Sequence, residues 1–536
     1  MEFSCPVRVL VVWTLLLRFC NPWGVFAVDL EAINDFGLDI KAAGQAWFQL
    51  SQESFPDARS LEYLDHSVEL GNPHGQHLRA LMYAVGFQAS TPNIAKSILH
   101  DHFSIAAGHP QAAMTFGYRA LYGHGAPQSC VNALNYYRHA ATLVVETLAD
   151  DYTFLQSVPY HPRLPELSKE DEVNDFNKLI FLASASLKSK NGAYVFRIAK
   201  LLLQQPEPHY TLVNQLLLKA AAWGHVKANA YLGIMFAKGW GVTLNATKAR
   251  EYFIKAPEDG DALYGLGLLF KYGRDIVQDH HAALEYFYAA SKLGHVDAVY
   301  EAATLMTSLH QAKRYFEAAS NSGHAMATFR LAELVEQAPD DSSCSKAIEM
   351  YKRVAERMDH PLLRLAWSKY VARNYVDAYW LYRLVAEEGF EVAHTNAAWL
   401  LQLYVSQPSD TTRMMLLYRA AHQGSGYAQL ELAHAHYSNS NFDLAIRAYS
   451  HLTSEPKFRS SKAYMHIAPA YFYLGYMHEM GYGVPCDRSK ALDLYIQASA
   501  IERRFKWPID VWKWKWWLQD LWAHWLALLC QLACQA

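Results

Sequence analysis

Closely spaced histidines are the residues of this chain whose type and spacing could bind a metal ion. Three pairs of histidines are adjacent or two residues apart, and His478-Glu479 opens a zinc-protease motif that no second histidine completes. Neither a G-x-S-x-G nucleophile elbow nor a phosphate-binding glycine loop occurs. We therefore predict a protein that is not an enzyme, with no catalytic residue, metal site or cofactor. The histidine pairs, which we interpret as surface positions on helices, are His100/His102, His280/His281 and His434/His436.

Cysteine and asparagine chemistry depends on the compartment, and the N-terminus indicates a secretory one. Arg8 precedes an apolar run at 9–17, and small residues at 25 and 27 suit a cleavage site, so residues 1–27 are predicted to be a signal peptide. An uncleaved anchor or a buried first helix are the alternatives. An oxidising compartment would allow a disulfide among Cys130, Cys344 and Cys486, with the pairing open.

Asn245 is a predicted glycosylation site in such a compartment. It begins the sequon Asn245-Ala246-Thr247, which follows a glycine-rich turn where the side chain could be exposed. If the chain does not enter the secretory pathway, the triplet would not be glycosylated.

A repeated spacing of alanine, aromatic and glycine predicts the elements that position these groups. An alanine is followed by an aromatic four residues on and a glycine seven further, and copies start at Ala249 and Ala283, 34 residues apart (283 − 249). A period of about 34 residues is typical of stacked helical hairpins. We predict an all-α fold, an α–α superhelix of tetratricopeptide-like hairpins that holds partners. The repeat glycines are Gly224, Gly260, Gly294, Gly323, Gly389 and Gly424.

Other recurring positions fit the same helical unit. Glycine pairs six residues apart, such as Gly233 and Gly239, predict the end of the first helix of each pair. Aromatics of the second helix, such as Phe253, are predicted to fill space between layers. We expect a bulky residue at Gly294 to disrupt local stacking. Histidines that follow glycines at helix starts are explained by a repeated structural position: His109, His225, His295 and His324.

Composition excludes nucleic acid as a partner. The net charge is −3 with 25 histidines counted as neutral, so the chain lacks the basic excess that nucleic-acid binding requires. Hydrophobic residues make up 52% of the chain, which favours a large core over disorder. Breaks in the repeat pattern then predict the following organisation: signal peptide 1–27, N-terminal repeats 28–142, a proline-containing insertion 143–175, middle repeats 176–405, C-terminal repeats 406–506 and a Trp-rich segment 507–536.

Three stretches are more specific than the generic repeat. Residues 126–138, 386–398 and 474–483 resemble segments of the adaptor subunit of the HRD-type ubiquitin ligase, a member of the Sel-1-like repeat family. The resemblance implies a non-catalytic scaffold in the endoplasmic reticulum lumen, with the late repeats nearest the membrane. It also implies three partners: misfolded glycoproteins, a degradation lectin and a membrane RING ubiquitin ligase. The alternative is a luminal or secreted Sel-1-like repeat interaction protein unrelated to the ligase.

The segment 507–536 departs from the transmembrane helix that the resemblance implies. Its apolar run at 521–536 is only 16 residues (536 − 521 + 1) and contains His524, so spanning is one of three alternatives. A helix that caps the solenoid is another. Because tryptophans on one helical face suit a membrane interface, we favour an amphipathic helix that docks on the membrane surface or the ligase. The predicted docking residues are Trp512, Trp514, Trp517, Leu518, Leu521, Trp522 and Trp525.

Overall fold

In a computed structural model of the chain, every α-helix belongs to one of two compact units. Unit 1 comprises Met1–Tyr160 and Asp171–His360, and unit 2 comprises His161–Glu170 and Pro361–Ala536. The division at 360/361 falls inside the predicted middle repeats and not at 405/406. The structure describes residues 40–55, 58–87, 91–150, 162–166, 190–203, 208–273, 277–337, 343–358, 360–404, 410–454 and 464–535. The predicted signal peptide lies outside these residues.

Unit 1 contains sixteen of the helices in the described ranges, and consecutive helices pack against one another as far as Asp150 and again from Gly192 onwards. They are α1 (Ile40–Glu53), α2 (Ala58–Glu69), α3 (Pro73–Val85), α4 (Ile94–Ala106), α5 (Pro110–Tyr122), α6 (Cys130–Asp150), α7 (Gly192–Leu203), α8 (Tyr210–Ala222), α9 (Val226–Lys238), α10 (Ala246–Ile254), α11 (Gly260–Tyr272), α12 (His280–Lys292), α13 (Val296–Leu305), α14 (Leu309–Asn321), α15 (Ala325–Glu336) and α16 (Ser343–Ala355).

Unit 2 repeats this pattern, and its described residues also contain two short 3-10 turns, Leu164–Glu166 and Arg503–Phe505. The predicted all-α solenoid of helical hairpins is confirmed in both units. The helices of unit 2 are α17 (Pro361–Val371), α18 (Tyr375–Ala386), α19 (Glu391–Tyr404), α20 (Asp410–His422), α21 (Gly426–Ser438), α22 (Phe442–Ser454), α23 (Tyr464–Met480), α24 (Arg488–Ile501) and α25 (Lys506–Gln535).

The two glycines of each pair have different roles, although the sequence predicted only that they end the helix. Gly239 ends α9 in the left-handed conformation, with φ of 73°. Gly233 instead lies inside α9, where a Cβ atom would come within 2.5 Å of the Phe253 ring. The missing side chain therefore lets the aromatic of the next helix lie directly on the backbone, which is close packing of the kind that interiors require. The same glycine–aromatic pairing joins Gly117 to Tyr137, Gly267 to Phe287 and Gly475 to Tyr495.

The repeat glycines mark the turns between helices. Five of the six have positive φ, a conformation that costs other residues about 1–2 kcal/mol. Gly260 is the exception, since it is the first residue of α11 after the N-cap Asp259. A Cβ on Gly294 would meet nothing within 4 Å, so a substitution there is strained by its φ of 83° and not by a contact of the Cβ atom. The five are Gly224, Gly294, Gly323, Gly389 and Gly424.

The recurring histidines cap helices and connect successive repeats. The Ala327 N–H donates to Nδ1 of His324 at 3.0 Å, and Nε2 of His324 lies 3.3 Å from a carboxylate oxygen of Asp297 in the preceding repeat. Burial, with smaller contributions from Arg357 and His295, lowers the pKa of His324 to about 4. His324 is therefore neutral near pH 7. His109 and His295 also accept the N–H three residues on, whereas His225 makes no such cap bond.

Helix α6 packs on two partners that are far apart in sequence. It lies against α5 and also against α16, and a disulfide joins Cys130 to Cys344 across 214 residues. Nearby, Arg138 donates to a Glu336 oxygen at 2.5 Å. Helix α6 therefore contacts a repeat that lies far from its own along the chain. Helix α6 also continues to Asp150, so the first part of the predicted insertion is helical.

Candidate docking surfaces

A buried carboxylate attaches helix α25 to the repeats of unit 2. Glu479, near the end of α23, accepts the Tyr495 hydroxyl at 2.9 Å and the Trp516 indole N–H at 3.1 Å, one on each oxygen. Burial and the Glu479 carboxylate together raise the pKa of Tyr495. Arg488 adds a bond of 3.0 Å to Gln519 of α25. One turn of the helix, around Trp516, is thus bound to α23 and α24.

The remaining described side chains of α25 between 514 and 526 are exposed. Trp517 is 56% exposed and Trp522 is 70% exposed, values far above those of a core aromatic. Trp514 packs edge-on against Trp517, with ring centroids 5.8 Å apart, but both rings remain open to solvent. Contiguous exposed apolar surface of this kind marks sites that contact another protein or a membrane. The exposed large apolar residues are Trp514, Trp517, Leu518, Leu521, Trp522, Trp525 and Leu526.

The exposure and apolar character of α25 bear on the capping and spanning alternatives. The capping alternative, which buries the tryptophans, fails for the six predicted docking residues just listed, while the side chain of Trp512 lies outside the described residues. Sequence reasoning missed Trp516, which points away from the predicted apolar face and makes the attachment. A tryptophan on the otherwise polar side of the helix was the available signal. Among the described residues, no helix has the length and apolar character needed to cross a bilayer.

The stretch 386–398 forms a buried ionic cluster. Arg383 and Arg419 donate to the same oxygen of Glu387 at 2.6 and 3.1 Å. Burial alone would raise the pKa of Glu387, but the two guanidinium groups lower it to about 2. His394 donates from Nδ1 to the Phe390 carbonyl at 2.8 Å, and burial lowers its pKa to about 3. This cluster orients α18, α19 and α20 and presents no reactive group to solvent.

The predicted cysteines and the sequon occupy three different environments. Cys130 and Cys344 form the disulfide of unit 1, with Cα atoms 6.4 Å apart. Cys486 carries a free, exposed thiol that donates to the Glu479 carbonyl at 3.0 Å. Asn245 is the N-cap of α10, where its Oδ1 accepts the Lys248 N–H at 2.8 Å. The cap uses the side-chain oxygen, so the nitrogen that would carry a glycan is a different atom.

The histidine pairs make ordinary side-chain contacts. Nδ1 of His100 lies 2.7 Å from the amide oxygen of Gln76, and the ring of His434 packs against Tyr473 at 4.7 Å between centroids. Across the ranges that the structure describes, no three His, Cys, Asp or Glu side chains converge where they could hold a metal ion.

Comparison with known proteins gives a consistent result. The family model described as Sel1 repeat matches residues 112–143, 226–261, 260–295, 307–324 and 468–500. The ERAD-associated E3 ubiquitin-protein ligase component HRD3B of Arabidopsis thaliana is 30% identical, over 84% of this chain and 70% of that protein. Protein sel-1 homolog 2 of Homo sapiens is 29% identical, over 29% of this chain and 23% of its own length.

A solved structure covers more of the chain at lower similarity. The c5321 protective antigen of uropathogenic Escherichia coli, which displays an SLR fold, is 16% identical with a TM-score of 0.29. The alignment covers 91% of each chain.

Proposed function

Because this chain belongs to the family of HRD3 and sel-1 proteins, which are built from Sel1 repeats, we propose that it is a non-catalytic adaptor in endoplasmic-reticulum-associated degradation. The observation that carries the proposal is the 30% identity to the Arabidopsis ligase component over 84% of the chain. The fold supports it, since stacked helical pairs expose long surfaces suited to binding other proteins.

The partners of this adaptor would be of three kinds. Misfolded glycoproteins and a degradation lectin would bind the repeat units, and an HRD-type membrane RING ubiquitin ligase would receive the clients. This arrangement requires the repeats to lie in the endoplasmic reticulum lumen, where the predicted signal peptide would direct them. A disulfide between Cys130 and Cys344 suits that oxidising compartment.

Helix α25 is the proposed contact with the membrane surface or with the ligase. Its tryptophans are exposed while Trp516 holds the helix to α23 and α24, so the aromatic face is available without detachment of the helix. Tryptophan favours the boundary between lipid headgroups and acyl chains. The same rings also suit a hydrophobic patch on a protein partner, since aromatic residues dominate such contacts.

Affinity purification of the tagged full-length chain from mildly solubilised microsomes, followed by mass spectrometry, tests the adaptor role. We expect a membrane RING ligase and a degradation lectin among the most abundant partners. Good recovery of the chain with neither partner would instead favour a luminal or secreted interaction protein unrelated to the ligase.

A matched pair of variants tests the role of α25. Trp517→Asp places a charge on the exposed aromatic face, and His524→Asp places the same charge at another exposed position of the helix. We expect Trp517→Asp to lose most of the ligase or microsome association and His524→Asp to retain it. Equal association of both variants would exclude this face as the contact.

Treatment with an endoglycosidase tests both the compartment and Asn245. Full-length protein from cells should migrate faster after treatment, and Asn245→Gln should migrate at the treated position without treatment. A wild-type chain that does not shift would contradict the proposed glycan.

A further inference from the structure

Helix α19 binds a short piece of the same chain through one asparagine. The side chain of Asn396 is fully buried, and its Oδ1 accepts the Leu164 N–H at 2.8 Å. Its Nδ2 donates to the Pro162 carbonyl at 3.0 Å. One amide thus pairs with a backbone donor and a backbone acceptor two residues apart, and both belong to unit 2.

The residue between these two is bound by a carboxylate. Arg163 donates from Nε and Nη2 to one oxygen of Glu391, at 2.9 and 2.7 Å. The other oxygen of Glu391 accepts the Thr395 hydroxyl at 2.8 Å, which fixes the carboxylate on the first turn of α19. Charge-assisted bonds of this kind are shorter and stronger than neutral ones, and they select a guanidinium by its geometry.

An aliphatic side chain completes the contact. Leu164 is only 3% exposed, and Leu164–Glu166 then forms a 3-10 turn against α19. The surface therefore recognises three successive features: a carbonyl group, an arginine, and a residue that offers both an N–H and an apolar side chain.

The chemistry of this surface is that of a peptide-binding site. Backbone pairing by an asparagine binds any extended peptide, whereas Glu391 and the pocket of Leu164 add sequence preference. An empty site would leave the buried amide of Asn396 without these two hydrogen-bond partners, which is unfavourable for a buried polar group. The surface thus favours an occupant.

We propose that α19 carries a binding site for peptide segments with arginine followed by an aliphatic residue, and that residues 162–166 occupy it in cis. A covalently linked ligand acts at an effective concentration of about millimolar. A segment of the same type from another protein therefore binds only when it displaces this strap or when the strap is removed. The site is independent of the ligase assignment.

The test uses the full-length chain and the acetylated, amidated pentapeptide of residues 162–166, labelled with a fluorophore for anisotropy. Arg163→Ser together with Leu164→Gly removes the side-chain contacts of the strap. We expect this variant to bind the peptide at least tenfold more tightly than the wild type. Adding Asn396→Ala should abolish binding, and adding Asn439→Ala, at an exposed position of the same unit, should not. A peptide with arginine replaced by alanine should bind at least tenfold more weakly.

Hydrogen exchange provides a readout that leaves the strap unchanged. In the wild type, the Leu164 amide should be protected, and peptide at millimolar concentration should accelerate its exchange while the α19 amides stay protected. A strap variant with unaltered melting temperature that binds no peptide, or a Leu164 amide that does not respond to peptide, would overturn the proposal. Both outcomes are independent of whether the ligase co-purifies.

Discussion

Helices α6 and α25 are both long and both carry aromatic side chains, yet a ring of α6 is fully buried whereas most described rings of α25 are exposed. In α6, Tyr137 is fully buried on Gly117 of α5, and the helix also packs against α16. In α25, Trp516 is bound to Glu479, while Trp517 is 56% exposed.

The difference lies in what faces each aromatic. A ring can lie directly on the backbone of a neighbouring helix only where that helix offers a residue without a side chain, because interiors are already close-packed. Tyr137 has such a glycine at the required position, and the exposed tryptophans of α25 are not held by one in the described residues. Aromatic content alone therefore does not distinguish a core helix from a contact surface. An aromatic ring that lies on a glycine of the neighbouring helix does mark the core.

Truncation of one aromatic in each helix should give the largest contrast. Tyr137→Ala removes a fully buried ring and should lower the free energy of unfolding of unit 1 by about 3–5 kcal/mol. Trp517→Ala should change stability by less than about 0.5 kcal/mol, since its ring is exposed. Thermal and urea denaturation of the full chain measure both effects. Similar losses in the two variants would mean that the exposed face of α25 is covered within the chain.

The repeat spacing was enough to predict the fold, because the fold depends on contacts between residues that are close in the sequence. Gly233 and Phe253 are 20 residues apart (253 − 233) and meet in adjacent helices, so their spacing recurs in the sequence. The helix-capping histidines follow for the same reason. The different roles of the two glycines in each pair could not be predicted, since the sequence does not show which glycine the aromatic ring contacts.

The long-range contacts could not be predicted from spacing. Cys130 and Cys344 are 214 residues apart, and no periodicity connects them. The small residues Ala140 and Ala141, buried one turn after Tyr137 on the same face of α6, allow a neighbouring helix to approach closely but do not identify that helix. Asn396 is a similar case: asparagine inside a helix is unfavourable by propensity, which signals a special role without identifying the partner.

Removal of the disulfide should weaken the attachment of α6 more moderately. Cys130→Ser with Cys344→Ser releases a closed loop, and we expect a loss of about 2–4 kcal/mol because the unfolded chain gains freedom. Cys486→Ser, which removes a free thiol, is the control and should leave stability unchanged. Denaturation under non-reducing conditions measures the difference. A double variant as stable as the control would show that packing alone holds α6 on α16.

Lowering the pH should reduce the free energy of unfolding of the repeats around His324, next to α6. The native pKa of His324 is about 4, against about 6.5 when unfolded, so its contribution is complete above pH 6.5 and falls as pH drops towards 4. By pH 5 the loss is about 2 kcal/mol, because the unfolded state takes up the proton first. His324→Asn keeps a capping side chain but cannot titrate, and it should lose this part of the pH dependence. An unchanged dependence in that variant would assign the acid sensitivity to other groups.

The smallest effect should come from the indole bond that helps to attach α25 to the repeats. Trp516→Ala removes the indole bond to Glu479 and a half-buried ring, and we expect a local loss of about 1–2 kcal/mol. Amides of α25 should then exchange faster while those of α23 and α24 keep their protection, since α25 adds little to the core. Trp514→Ala, on the exposed side, is the matched control and should leave exchange unchanged.

This last variant also separates attachment from docking. If α25 acts as a rigid contact surface, Trp516→Ala should weaken ligase or membrane association although every exposed tryptophan remains. If association is retained while exchange in α25 rises, the helix binds its partner without being held by Glu479. The buried carboxylate would then stabilise the end of the repeats, and the contact surface would depend on the exposed rings alone.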